Sequence, residues 1–230
     1  MHFYKTEGSS SLIGTKPYVA QWSATTWGPI PMRLFFNQTS PYARKVRVAL
    51  YELGLNDIIQ LVEVDPWLES RDFTDANPLS KVPALVLANG TLVTESDTIA
   101  QTLHGLTAHS QLIPKEEPAR QLCLGRAALC QGLIDATFIC AIEGRRPSEL
   151  RWADWVARQE RAIARTLSWI EARFDLDDRR FDLGDIGLAC GLGYLDFRAA
   201  HLSWRPERPR LADWFEHARV RSSMIATQPC

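Results

Sequence analysis

The stretch MRLFFNQTSPYARKVRVALYELGLNDIIQLVEV, residues 32–64, decides the reading of the fold. Met32–Phe36 is a short, largely apolar run of the kind a buried strand requires. Ser40-Pro41 follows it: a polar side chain able to cap a helix, then a proline at the first helical position, where its missing N–H is no loss. Tyr42, Val46, Ala49, Leu50 and Leu53 then recur at helical spacing, and Gly54 ends the run. Asp57–Val64 reads as a second strand. Strand, helix and strand in that order imply a right-handed crossover between two parallel strands.

Downstream, a short helix is predicted around Trp67–Phe73. In VPALVLANGTLVTES, residues 82–96, Asn89-Gly90 predicts a tight hairpin with both turn residues at positive φ, between strands at Ala84–Leu87 and Leu92–Thr94. Ser96 is placed to cap a helix running to about Leu106. The order is βαβ-α-ββα with a mixed four-stranded sheet, a thioredoxin-like arrangement spanning residues 32–106. Residues 107–117 are a polar, proline-bearing linker. Residues 118–224 show helical patterning only: Pro118–Ile142, a helix through Trp152, Trp155, Val156, Ile163, Leu167, Ile170 and Phe174, one capped by Asp182 with Asp185 three residues on, and a last one at Pro209–Phe215. The class expected is therefore α/β plus all-α: an N-terminal thioredoxin-like domain, then a C-terminal helical bundle and a tail at 225–230. Residues 1–31, rich in Ser, Thr, Gly and Pro without a period, read as a poorly ordered leader upstream of a start at Met32.

Composition narrows the function. The chain of 230 residues is 46% hydrophobic and 23% charged with a formal net charge of −1, which gives neither nucleic acid nor an anionic membrane a bulk electrostatic hold. The five cysteines show no CxxC spacing, and four lie in apolar helical segments, so buried thiols and a reduced, cytoplasmic compartment are expected. The five histidines have no ligand spacing, and no metal is expected.

The motifs TSPYARKVRVAL (39–50), NPLSKVPALV (77–86), ESDTIAQTL (95–103), DLGDIGLACGLGYLDFR (182–198) and RPRLADW (208–214), in that order, resemble those of bacterial cytosolic glutathione transferases of the serine type. The resemblance implies glutathione as co-substrate, a small hydrophobic electrophile as second substrate, a role in detoxification, and a homodimer. Two departures from the family pattern stand out. Asp182 takes the place of a Ser or Thr cap, and Gln131 stands where related chains often carry an Asp one turn before Asp135.

In a redox relative the position of Ser40 would hold a cysteine, whose thiolate the helix N-terminus stabilises. A serine cannot form a disulfide, which argues against a glutathione-dependent reductase. It can cap the helix, donate a hydrogen bond to a thiolate supplied by glutathione, or do both. A thiol of pKa about 8.5 is only about 3% ionised at pH 7, and lowering it by about 2 units raises the thiolate fraction roughly twentyfold. The resemblance further implies that Val82, before a cis Pro83, offers its backbone to the cysteinyl residue like an added strand. It implies Lys81 for the glycyl carboxylate, Ser96 with its helix N-terminus for the γ-glutamyl carboxylate, and Glu95 for the γ-glutamyl ammonium. Tyr42 lines the site or packs beneath it, and Thr39 is the rival hydroxyl to Ser40. Phe138 and the region of Trp204 are candidates for the second-substrate pocket, with Asp135, Arg145 and Arg146 as polar additions. Arg44, Lys45 and Arg47 read as an exposed helix face. A glutathione-binding scaffold of the same fold without transferase activity is the competing reading.

Overall fold

In the computed structural model, β1 (Met32–Phe36) is central in a four-stranded sheet of order β2-β1-β3-β4, where β2 is Ile59–Glu63, β3 Ala84–Val86 and β4 Leu92–Thr94. The structure describes residues 31–107, 110–177 and 179–229, so the leader expected at 1–31 lies, but for Pro31, outside the described residues, as does the last tail residue. β1 and β2 run parallel, and β3 is antiparallel to both β1 and β4. α1 (Pro41–Glu52) makes the crossover between β1 and β2; α2 (Arg71–Ala76) and α3 (Ser96–Gly105) complete the thioredoxin-like βαβ-α-ββα order.

Alternation along β1 sets the layers. Leu34 packs with Val46, Leu50, Leu85, Ile99 and Leu103 under α1 and α3, whereas Phe35 packs on the other face with Phe73 of α2 and Ala84. Val48 and Ala49 of α1 and Ala100 of α3 face away from the sheet into a second, larger core. That core is built by α4 (Ala119–Glu143), α5 (Ala153–Arg173), α6 (Leu183–Arg198), α7 (Pro209–Arg219) and α8 (Ser222–Ala226). Residues from Pro31 onward thus form one compact unit.

α6 is buried almost all round, and its glycines let α4 close on it. A Cβ on Gly184 would lie 2.9 Å from the Cβ of Arg126, and one on Gly187 3.1 Å from that of Cys130. The expected cap is present: Asp182 accepts from the Asp185 N–H, and the Asp185 carboxylate accepts from the Asp182 N–H. Aspartate replaces the usual hydroxyl cap without loss of this reciprocal bonding. Arg126 then neutralises both buried carboxylates.

Several local expectations are corrected. Arg44, Lys45 and Arg47 are not a solvated face, because α1 is covered on both sides. Lys45 is 0% exposed, the Arg44 guanidinium donates to the Met224 carbonyl (3.0 Å), and Arg47 reaches the Ala226 carbonyl (3.4 Å). The β3–β4 connection spans the five residues 87–91, of which only Gly90 has positive φ (82°); Leu87 N–H closes it on the Thr91 carbonyl and Asn89 turns its side chain onto the Thr91 N–H. The second helix starts later than expected, because the Asp65 carbonyl and carboxylate hold Leu68 and Trp67 in a turn ahead of it. Trp152 precedes α5 and stacks, largely exposed, on Trp155. Trp204 is core rather than pocket, packed edge-on to Phe215 with its indole N–H on Asp196.

Candidate functional site

The register of the sheet gathers the site. Phe35, Ala84 and Thr94 lie side by side across β1, β3 and β4. The chain leaves β1 towards Ser40, arrives at β3 through Val82-Pro83, and leaves β4 into Glu95-Ser96, so all three segments emerge at one end of the sheet. The Val82-Pro83 peptide bond is cis. The Val82 main chain takes no part in the sheet, whose pairing starts at Ala84. Lys81 is exposed, and its carbonyl is tied back by the Asn77 amide at 2.8 Å.

Ser40 is the N-cap of α1, with extended backbone (φ −78°, ψ 120°) and an Oγ that accepts from the Ala43 N–H at 3.2 Å. Its oxygen holds the helix end, while among the described residues its proton has no acceptor. Thr39 differs: its hydroxyl donates to Asn37 Oδ1 at 2.8 Å. The two neighbouring hydroxyls thus have opposite availability.

At α3 the cap falls one residue earlier than the sequence suggests. Glu95 occupies the cap position with φ 66° and ψ 125°, and Ser96 is the first helical residue. A non-glycine residue at positive φ costs about 1–3 kcal/mol and persists where its surroundings over-determine it. The turn leaves Glu95 exposed and Ser96 buried. Freed from capping, the Ser96 hydroxyl donates to Gln131 Oε1 on α4 at 3.3 Å.

Gln131 joins a network that patterning did not reveal. Its Oε1 also accepts from the Lys45 ammonium at 2.7 Å, and its amide donates to Asp135 at 3.1 Å. Lys45 is ion-paired with Asp97 in the first turn of α3. Asp135 receives a second hydrogen bond, from the Tyr42 hydroxyl at 2.8 Å, and the Tyr42 ring meets Phe138 edge-on at 5.7 Å. A glutamine suits position 131 because it can accept from two donors and donate to Asp135; an aspartate there could only accept and would repel Asp135 one turn away. Burial and the Asp135 bond push the Tyr42 hydroxyl far above the ordinary tyrosine range, so Tyr42 is a neutral donor and not a base. Both neighbours of the network, Lys45 and Asp97, lay within quoted motifs, but their roles depend on an α1–α3–α4 junction that no local pattern encodes.

The described cysteines are free, and burial raises the thiols of Cys123 and Cys140 to about 11 and that of Cys130 to about 12. They are unsuited to be nucleophiles. Two surface cavities of about 510 and 520 Å³, one beside Trp169 and Arg208, the other beside Glu52 and Arg221, contain none of the residues above.

Comparison with known proteins agrees with this fold. Residues 39–106 match the glutathione S-transferase N-terminal domain and residues 153–217 the C-terminal domain. An uncharacterised GST-like protein of Escherichia coli K12, YibF, is 30% identical over 202 residues, 86% of this chain and 98% of that one. A glutathione transferase family member from Pseudomonas fluorescens Pf-5, solved with bound glutathione, is 38% identical with a TM-score of 0.82 over 86% of this chain and 99% of that one. A second structure from the same source, with bound S-(propanoic acid)-glutathione, gives 37% and 0.78 over 86% and 97%. The chain belongs to the glutathione S-transferase family.

Proposed function

We propose that the protein is a serine-type glutathione transferase: it binds glutathione at the sheet end formed by Ser40, Val82 and Ser96, stabilises the thiolate with the Ser40 hydroxyl, and adds the sulfur to an electrophilic carbon. The observation that carries this reading is the bonding of Ser40. Its oxygen accepts from Ala43 N–H, which leaves a proton to donate, whereas the Thr39 proton is spent on Asn37. The hydroxyl also sits at the N-terminus of a twelve-residue helix, whose dipole favours an anion. In this reading the Val82 backbone pairs with the cysteinyl residue, Ser96 and the start of α3 take the γ-glutamyl carboxylate, Glu95 takes the ammonium, and Lys81 the glycyl carboxylate. Tyr42, bonded to Asp135, forms the wall towards the second substrate. The ligands of the Pseudomonas relative, glutathione and its S-propanoic acid conjugate, support a site that admits both thiol and thioether.

The reading includes a second copy of the chain. Gly125 and Gly132 lie mid-helix on the exposed side of α4, beside exposed Ala128 and Leu122, and among the described residues a Cβ at either glycine would meet nothing within 4 Å. Each glycine costs the helix about 1 kcal/mol against alanine, a cost with no packing return among the described residues. Light scattering is expected to give twice the chain mass. The buried, free thiols suit a reducing, cytoplasmic setting.

The test is transfer to 1-chloro-2,4-dinitrobenzene by the native protein, Ser40→Ala and Thr39→Val. Ser40→Ala is expected to lower kcat/KM at pH 7 at least tenfold, with a smaller effect from Thr39→Val. Glutathione binding without transfer by the native protein would instead identify a scaffold.

A further inference from the structure

α4 and α6 run parallel, since Gly184, Gly187 and Gly191 lie in turn against Arg126, Cys130 and Leu133. Their C-terminal ends therefore finish side by side. On α4 and the turn after it, Asp135, Phe138, Ile142 and Arg145 follow at steps of three, four and three residues, one face of a helix. The first two of these touch Tyr42. On α6, Gly191, Tyr194 and Arg198 form the matching face, and Gly191 rests on Leu133 and Ile134 of α4. The two faces lie on neighbouring parallel helices, and each ends in an arginine. Tyr194 is 4% exposed, and burial holds its hydroxyl above the ordinary tyrosine range against the pull of Arg198 and Arg145.

The charges around these helix ends are unequal in their commitments. Asp135 already accepts from Tyr42 and Gln131. Glu95 stands at the N-cap of α3, the end proposed for the γ-glutamyl ammonium. Arg146 pairs with Glu143, and Arg151 caps the carbonyls of Gly144 (2.8 Å) and Arg146 (2.9 Å). Among the described residues, Arg145 and Arg198 pair with no carboxylate; Arg198 only lies over the Phe197 ring at 4.0 Å. An arginine at a helix C-terminus can simply offset the helix dipole. The last carbonyls of α4, those of Ile142 and Glu143, already accept from the Arg145 and Arg146 N–H groups, and Arg198 stands one turn after Tyr194.

We propose that the electrophile accepted by this site carries a carboxylate, held by Arg145 and Arg198, while its reacting carbon lies over Phe138 and Tyr42 towards the glutathione sulfur. The inference rests on the transferase reading. A guanidinium fork matches a carboxylate, and such charge-assisted bonds are among the stronger ones. With an aryl chloride the carbon–sulfur bond forms as the carbon–chlorine bond breaks, chloride leaves with the bonding pair, and the thiol proton passes to solvent. Nothing is oxidised or reduced.

The test compares 4-chloro-3-nitrobenzoate with 4-chloro-3-nitrobenzamide, which differ in charge at similar shape, each rate divided by its uncatalysed rate. The native protein is expected to favour the benzoate roughly tenfold in kcat/KM, with the preference falling as salt is added. Arg145→Gln and Arg198→Gln are each expected to reduce the ratio, and Arg198→Lys to restore part of it. Turnover of both compounds at equal normalised rates by the native protein, insensitive to salt, overturns the inference and leaves the transferase reading standing. Turnover of neither compound, nor of 1-chloro-2,4-dinitrobenzene, removes the transferase reading and the inference with it.

Discussion

Lys45 and Asp97 form an ion pair whose two halves are predicted to be unequal in importance. The Lys45 side chain is 0% exposed and has two partners, the Asp97 carboxylate and Gln131 Oε1, whereas the Asp97 side chain keeps 27% of its surface in water. Asp97→Asn preserves shape but leaves an ammonium ion buried without a counter-charge. Losing one partner of a buried pair costs about 3–5 kcal/mol. Because water can reach the Asp97 side, the low end, about 3 kcal/mol, is expected. Lys45→Met removes the buried charge itself and keeps an apolar stem of similar length. Asp97 then remains partly solvated in the first turn of α3, where the helix N-terminus favours it, and Gln131 keeps its bond from Ser96. A cost of about 1 kcal/mol or less is expected, since apolar replacement of buried charge is often close to neutral. Urea unfolding at pH 7 with matched m values measures both, and thermal midpoints read at one scan rate are expected to fall by roughly 6 °C or more for Asp97→Asn. A larger loss from Lys45→Met than from Asp97→Asn would refute the reasoning, because it would mean that the ammonium gains more from its partners than it loses by leaving water.

Two further predictions concern α6. Burial raises Asp185 from 3.8 to about 6, against the pull of Arg126 and Arg180. Between those values the folded chain holds a proton that the unfolded chain has released, so this contribution to stability is full below about pH 4 and is lost as pH rises through about 6. Wild type should therefore lose stability relative to Asp185→Asn across that interval; a gain would show that the two arginines outweigh burial. A Cβ on Gly184 would meet the Cβ of Arg126 at 2.9 Å, whereas the close contact of one on Gly193 would be with the tip of the Arg44 side chain at 2.6 Å, Phe215 lying at an ordinary 3.8 Å. Gly184→Ala is expected to cost about 1–3 kcal/mol and Gly193→Ala less in the same urea series, because a guanidinium can swing aside and a Cβ cannot.

Much of this architecture was legible where one local signal sufficed. The apolar run Met32–Phe36, the Ser40-Pro41 start of α1 and the Asp182–Asp185 cap each depend on residues within a few positions of one another, and each is present. The losses occur where tertiary contact reverses a local rule. Arg44, Lys45 and Arg47 have the composition of a solvated face but are covered, because α1 is packed between the sheet and the helical core. Ser96 has the residue type of a cap, yet the positive φ of Glu95 moves the cap back and turns the serine to Gln131. Trp204 carries the size and polar handle of a pocket residue, but Asp196 and Phe215 hold it in the core. Of the candidate site, the segments at Ser40, Val82-Pro83 and Glu95-Ser96 could be named from their motifs. The choice between Ser40 and Thr39, and the junction through Lys45, Gln131 and Asp135, required three-dimensional hydrogen bonding.

The most direct measurement is the thiolate absorbance of bound glutathione near 240 nm as a function of pH, taken as the difference between the complex and its separate components. The thiol midpoint is expected well below the free value of about 8.5 in the native protein and in Thr39→Val, returning towards that value in Ser40→Ala. A midpoint unchanged by Ser40→Ala, or one that never departs from free glutathione although the tripeptide is bound, would contradict it.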